Sequence, residues 1–83
     1  MTIITVIGAG SASFGENTLS AILRSKKLKG STLRLVDRNM QSLDIVHRLA
    51  NRLNKEWDSG FIISAHANHK DALDGANFVV SAI

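Results

Sequence analysis

An apolar, β-branched run that ends in a glycine turn constrains this chain more than any other feature of its sequence. Residues 3–7 read IITVI, and they lead directly into the segment GAGSAS at residues 8–13. A helical pattern follows. A strand, a glycine turn and a helix N-terminus in this order form the arrangement in which backbone N–H groups bind the pyrophosphate of a dinucleotide.

The two glycines of this turn each have a physical reason to lack a side chain. Gly8 can adopt the tight turn, and Gly10 has no side chain that would keep a phosphate away from the backbone. Ser13 stands where the usual fingerprint has a third glycine, which is a departure from that pattern. The predicted cofactor-binding residues of the turn are Gly8, Gly10, Ser11, Ala12 and Ser13.

The remainder of the chain alternates between helical and strand patterns. We predict strands over 3–7, 32–36, 61–65 and 78–83, helices over 13–28 and 40–57, a polar loop over 66–70 and a helical turn over 71–74. Asn39 is placed to cap the second helix. The pattern predicts the α/β class: a partial Rossmann fold with a parallel sheet of about four strands, in the order 3-2-1-4, and helices on both faces.

Asp37 is the second candidate for site chemistry, because it ends the second predicted strand beside the glycine turn. There a carboxylate can accept hydrogen bonds from both hydroxyls of an adenosine ribose, and it disfavours a 2′-phosphate, so NAD is expected rather than NADP. The alternative is a strand-ending aspartate that caps the next helix. The adjacent Arg38 is included in the predicted cofactor site, where it can soften the preference for NAD, or it is a solvated loop residue.

Composition limits the other possibilities. The chain has 83 residues and no cysteine, which predicts one small domain without disulfides, and no stretch is apolar enough to span a membrane. A cytoplasmic location is therefore expected. The net charge is +3, with basic residues clustered at 24–29. No aromatic residues interleave with these charges, so the cluster is interpreted as the solvated end of a helix, and neither nucleic acid nor membrane is expected as a partner.

The histidines suggest no metal site. His66 and His69 form an H-x-x-H pair, but two ligands are too few for a metal, so both are interpreted as loop residues. His47 lies between apolar positions of the second helix. No catalytic residue and no metal ligand is predicted within the chain.

Three segments together resemble one enzyme family. GAGSASF at 8–14, KGSTLRLVDRN at 29–39 and ALDGANFVVSAI at 72–83 are similar to the family 4 glycoside hydrolases, the NAD- and manganese-dependent glycosidases. The resemblance spans the whole chain. Its more specific parts are the phenylalanine after the turn and the Gly-Ser-Thr before the second strand, because the other features are shared with lactate and malate dehydrogenases.

The resemblance implies a parent enzyme that hydrolyses O-glycosyl bonds by NAD-assisted oxidation and elimination, an exception to two-carboxylate hydrolysis. It implies a glycoside or phospho-glycoside substrate, and Mn²⁺ whose ligands lie outside these 83 residues. Residues 1–83 would then be the N-terminal part of a dinucleotide-binding domain without a second domain, and inactive alone. The alternatives are a fragment of a dehydrogenase and a non-catalytic nucleotide-binding module.

Two expectations concern the behaviour of the chain in solution. We expect weak NAD binding, because half of a complete cofactor cleft would be supplied by other residues. We also expect a homo-oligomer, with self-association through the apolar fourth strand, since unpaired strand edges pair with other chains.

Overall fold

The computed structural model of the chain describes residues 2–10 and 15–81. Within them lie four strands, β1 (Ile3–Ile7), β2 (Thr32–Val36), β3 (Ile62–His66) and β4 (Phe78–Ser81), and three helices, α1 (Gly15–Arg24), α2 (Met40–Glu56) and α3 (His69–Leu73). Strands and helices alternate along the chain, as the sequence predicted. The predicted helix start at 13–14 and the last two residues of the predicted fourth strand lie outside the described residues.

The strands form one parallel sheet in the order β3-β2-β1-β4, which confirms the predicted topology. Ile7 at the end of β1 is in register with Val36 of β2, and Val36 with His66 of β3. The carboxyl ends of these three strands therefore lie at one edge of the sheet. In open α/β sheets this edge is where ligands bind.

One face of the sheet carries the apolar core. Aliphatic side chains from the strands pack against the inner faces of α1 and α2, and Leu19, Leu33 and Leu35 have no exposed surface. α2 is amphipathic, with its buried side chains at Leu43, Ala50 and Leu53. Burial of these side chains is the dominant favourable contribution to folding.

The opposite face of the sheet is covered by α3 through polar contacts. Ala72 is the buried residue of this five-residue helix. The Thr5 hydroxyl donates to the Ala72 carbonyl, and the guanidinium of Arg34 donates to the carbonyls of Ala72, at 3.1 Å, and Asp74. Helices therefore lie on both faces, as predicted, but α3 is tied to the sheet by its backbone.

The first helix is shorter than predicted. It ends at Arg24 rather than near residue 28, and turns occupy the basic segment that follows. The Ser59 hydroxyl donates to the Leu23 carbonyl at 2.6 Å, and that carbonyl would accept the amide of residue 27 in a continuing helix. The lysines at 26–29 thus lie beyond the helix rather than in its last turn.

The predicted bounds of β3 and α3 were also wrong by a few residues. The side-chain amide of Asn54 accepts from the Phe61 amide at 2.9 Å and donates to its carbonyl at 3.0 Å, so strand pairing begins at Ile62. His66 belongs to β3 rather than to a loop. α3 begins at His69 because Asn68 caps it, accepting from the amide of Lys70 at 2.9 Å.

In the part of the chain that the structure describes, no helix has the length and apolar character needed to cross a lipid bilayer.

Candidate functional site

The glycine turn is fixed to the end of the neighbouring strand. Gly8 has a φ of 78°, a left-handed conformation that favours glycine. The amides of Gly8 and Ala9 both donate to the Val36 carbonyl, at 2.8 and 2.9 Å. The turn after β1 is thereby held against the end of β2, at the carboxyl edge of the sheet.

Gly10 is packed against the first turn of α2. A Cβ atom added at this position would lie 2.5 Å from Cβ of Ser42 and 2.9 Å from Oδ2 of Asp37. The amide of Gly10 donates to the same Asp37 oxygen at 2.8 Å. The lack of a side chain at Gly10 therefore allows α2 and Asp37 to approach the turn closely, a reason that the sequence did not suggest.

Asp37 links the glycine turn to the start of α2. Its Oδ2 accepts from Gly10, and its Oδ1 accepts from the amide of Asn39 at 2.8 Å. Asn39 caps α2, as predicted, with its side-chain oxygen accepting from the amides of Gln41 and Ser42. An ionised carboxylate offers about four acceptor positions, so two remain for a ligand.

A cleft of about 580 Å³ opens beside Asp37 at the carboxyl edge of the sheet. This volume lies within the range of roughly 300–1,000 Å³ found for small-molecule sites. Residues from the ends of β1 and β2 and from the segment after β3 line it: Ile7, Gly8, Val36, Asp37, Arg38, Ala67 and His69. The cleft combines apolar side chains with a carboxylate, a guanidinium and an imidazole.

The structure brings three of the predicted site residues, Gly8, Asp37 and Arg38, to this cleft, with Gly10 hydrogen-bonded to Asp37. The predicted residues Ser11, Ala12 and Ser13 lie outside the described residues. His69 was interpreted as a loop histidine, but it lines the cleft. Its position three residues after β3, at the carboxyl edge of a parallel sheet, is the signal that could have identified it.

The other histidine of the H-x-x-H pair lies elsewhere. Nε2 of His66 is 2.8 Å from the hydroxyl of Ser64, so this imidazole has a neighbour on its own strand. Across residues 2–10 and 15–81 no group of three or more His, Cys, Asp or Glu side chains is arranged to hold a metal ion.

A second cleft, of about 310 Å³, lies between the C-terminal ends of α1 and α2. Its lining includes Arg24, Lys26, Lys29 and Trp57, and the guanidinium carbon of Arg24 is 5.5 Å from the centre of the Trp57 ring. Arg24 is the basic residue in the last turn of α1, where a cation complements the helix dipole. Trp57 is the C-cap residue of α2 and contacts Arg24 through its ring.

A parallel sheet in the order 3-2-1-4, with a glycine turn after its first strand and an acidic residue after its second, defines a Rossmann-type α/β fold. Residues 3–83 match the model of the family described as family 4 glycosyl hydrolase. The chain belongs to this family.

Two curated relatives agree with that assignment. The chain is 40% identical over 82 residues to an alpha-glucosidase from Erwinia rhapontici, covering 99% of this chain and 18% of that protein. It is 31% identical over 80 residues to an alpha-galactosidase from Bacillus subtilis (strain 168), covering 96% of this chain and 18% of that protein. The chain thus spans about a fifth of the length of these relatives.

Proposed function

We propose that this chain binds the adenosine half of NAD, as the cofactor-binding segment of a family 4 glycosidase. The observation that carries the proposal is the contact between Gly10 and Asp37, 2.8 Å from amide nitrogen to Oδ2, beside an open cleft. It holds a carboxylate at the end of β2 next to the turn after β1, where a Rossmann-type site binds ribose.

The donors of the turn limit where the pyrophosphate is held. The amides of Gly8 and Ala9 donate to Val36, and the amide of Gly10 donates to Asp37. These three N–H groups already have acceptors within the chain. Ser11, Ala12 and Ser13 stay predicted phosphate-binding residues on the sequence pattern alone. Gly8 and Gly10 then shape the site rather than donate to the phosphates.

The carboxylate of Asp37 suits a ribose with both hydroxyls. Each of its oxygens accepts one backbone N–H at 2.8 Å, which fixes the plane of the group and leaves an acceptor position on each oxygen. A 2′-phosphate would replace a hydroxyl donor by an anion beside this carboxylate. We therefore propose NAD rather than NADP, with Arg38 reducing the difference between the two because its cationic side chain also lines the cleft.

Ligand variants test the site without changing the protein. We expect AMP to shift backbone NMR signals at Asp37 and Arg38, with 2′-deoxy-AMP binding about tenfold more weakly, a difference of about 1.4 kcal/mol. Adenosine 2′,5′-bisphosphate, which differs from AMP only by the 2′-phosphate, is expected to bind more weakly than AMP. Equal affinities for AMP and 2′-deoxy-AMP, or the absence of any shift at millimolar AMP, would refute the ribose role of Asp37.

The activity of the whole protein is proposed from its family. We propose a glycosidase that acts on a glycoside or phospho-glycoside, since the relatives named above are an alpha-glucosidase and an alpha-galactosidase. NAD would supply reversible hydride acceptance, while the residues of this chain hold its adenosine end. The described residues do not fit the manganese that the resemblance implies, and no step is assigned to a metal.

Hydrolysis assays test this part. The full-length product of the gene is expected to cleave p-nitrophenyl α-glucoside, α-galactoside or their 6-phosphates, and to lose activity after removal of bound NAD and regain it when NAD is added. Hydrolysis that is independent of NAD would contradict the mechanism. Oxidation of a hydroxy acid without glycoside cleavage would instead favour the dehydrogenase alternative. Homo-oligomerisation and a cytoplasmic location stay predictions.

A further inference from the structure

The N-terminal end of α3 forms part of the wall of the cleft that Asp37 also lines. His69, the first residue of that helix, lines the cleft together with Ala67, while Ile7 and Val36 form apolar lining from the strand ends. The base of a nucleotide is attached to its ribose, and this cleft is the open space beside Asp37. An apolar surface and a planar imidazole are the partners that a flat heteroaromatic base requires.

The helix that carries His69 is attached to the sheet by polar contacts to its backbone and by the burial of Ala72. An isolated helix of five residues is unstable in water, and the buried side chain of α3 is the small Ala72. Arg34, in the middle of β2, donates from Nη1 to the carbonyls of Ala72 and Asp74. Thr5, its register partner in β1, donates to the Ala72 carbonyl as well.

We propose that His69 contacts the base of the bound nucleotide, and that Arg34 is the positioning residue that holds His69 in place through α3. The proposal rests on the nucleotide site proposed above and extends it to two residues. Arg34 itself does not line the cleft. It acts on the ligand through the two carbonyls that fix the helix, and therefore through the distance between His69 and the strand ends.

Truncation of His69 tests the contact with the base. Because His69 is exposed, His69→Ala is expected to leave the urea unfolding midpoint unchanged. The affinity for AMP, measured by NMR titration, should fall about fivefold to tenfold. The affinity for ribose 5-phosphate, which lacks a base, should stay the same. His69→Phe, which keeps a flat ring, should retain most of the affinity. His47→Ala on α2 is the matched control.

A double-mutant cycle tests the role of Arg34. Arg34→Met is expected to lower the affinity for AMP about fivefold when His69 is present. In the His69→Ala variant it should have almost no further effect on that affinity. Arg34→Lys, which keeps a donor for the carbonyls, should recover most of the binding, and it serves if the methionine variant unfolds. Arg48→Met is the control, because Arg48 forms an exposed ion pair with Asp44 on α2.

The outcomes separate the two proposals. If the wild-type chain binds AMP but His69→Ala binds it equally well, the inference is wrong and the nucleotide site stands. If Arg34→Met weakens AMP equally in both backgrounds, Arg34 does not act through His69. If the wild-type chain binds no adenosine nucleotide, the proposed function is refuted, and this inference with it.

Discussion

The backbone amide of Gly10 and the carboxylate of Asp37 are joined by a hydrogen bond of 2.8 Å, although the two residues are 27 positions apart in the chain. This bond connects the turn after β1 to the residue that follows β2. Asp37 also accepts from Asn39, the cap residue of α2. One carboxylate therefore links the turn after β1, the end of β2 and the start of α2 by hydrogen bonds.

Replacement of Asp37 is expected to reduce stability. Asp37→Ala leaves the amides of Gly10 and Asn39 without their acceptor, which costs about 1–3 kcal/mol of unfolding free energy. Asp37→Asn keeps one side-chain oxygen, so its unfolding free energy should lie between those of the wild-type chain and Asp37→Ala. Urea unfolding measures the difference. Asp44→Ala, which breaks an exposed ion pair with Arg48, is the control and should cost less than about 0.5 kcal/mol. Equal losses in the two alanine variants would contradict this account.

A methyl group at Gly10 is expected to collide with α2. Gly10→Ala places a carbon 2.5 Å from Cβ of Ser42, and overpacking of this kind costs about 1–3 kcal/mol. Ser42→Gly removes that atom and should recover part of the loss in the double variant. In Gly30→Ala, where φ is 82° and the space around the glycine is open, Ser42→Gly should give no recovery. Additive effects in the Gly10 pair would show that the collision is not the cause.

Asn54 is expected to determine where β3 begins. Its amide group contacts both backbone groups of Phe61, at 2.9 and 3.0 Å, as a neighbouring strand would. Asn54→Ala should cost about 1–2 kcal/mol, and Asn54→Asp a similar amount, because a carboxylate cannot donate to the Phe61 carbonyl. Faster hydrogen exchange at the Phe61 amide is the local readout. The exposed Asn51→Ala should leave both stability and exchange unchanged.

The outer edge of β4 is expected to cause self-association. Within the described residues β4 lies at the edge of the sheet, and Phe78 and Val79 are 58% and 52% exposed. Such edges pair with other chains, and lysine on an edge prevents it. Val79→Lys should therefore lower the apparent mass in sedimentation equilibrium at high protein concentration.

Ile45→Lys is the matched control for this prediction. Ile45 is 69% exposed but lies on α2, away from the edge of the sheet. A lysine there should leave association unchanged. A wild-type chain that stays monomeric at millimolar concentration, or an Ile45→Lys variant that dissociates as fully as Val79→Lys, would contradict an interface at β4.

Local sequence patterns were sufficient for the strand order and for most element bounds. The strand at 3–7 and the cap at Asn39 depend on neighbours in the chain, and the structure has both as predicted. Parallel strands joined by right-handed crossovers then placed Asp37 beside the glycine turn without further information.

Contacts between distant residues account for what the sequence did not predict. The hydroxyl of Ser59 donates to the Leu23 carbonyl, 36 positions away, near the end of α1. The guanidinium of Arg34 donates to the carbonyls of Ala72 and Asp74, 38 and 40 positions away. Nothing in the spacing of apolar residues indicates such contacts. His69 was missed for a different reason, because the segment 66–70 was interpreted as a loop, although its place just after β3 puts this residue at the carboxyl edge of the sheet.

The attachment of α3 through its carbonyls has an evolutionary consequence. Thr5 and Arg34 donate to backbone carbonyls, which every amino acid has. These hydrogen bonds therefore tolerate almost any side chain at positions 70, 71 and 73, provided that residue 72 stays small. Substitutions at these three positions can therefore occur while the hydrogen bonds between α3 and the sheet are retained. Residue 69 is exposed and can also change without loss of the fold. If it contacts the nucleotide as proposed, substitutions there would alter ligand preference while the scaffold stays the same.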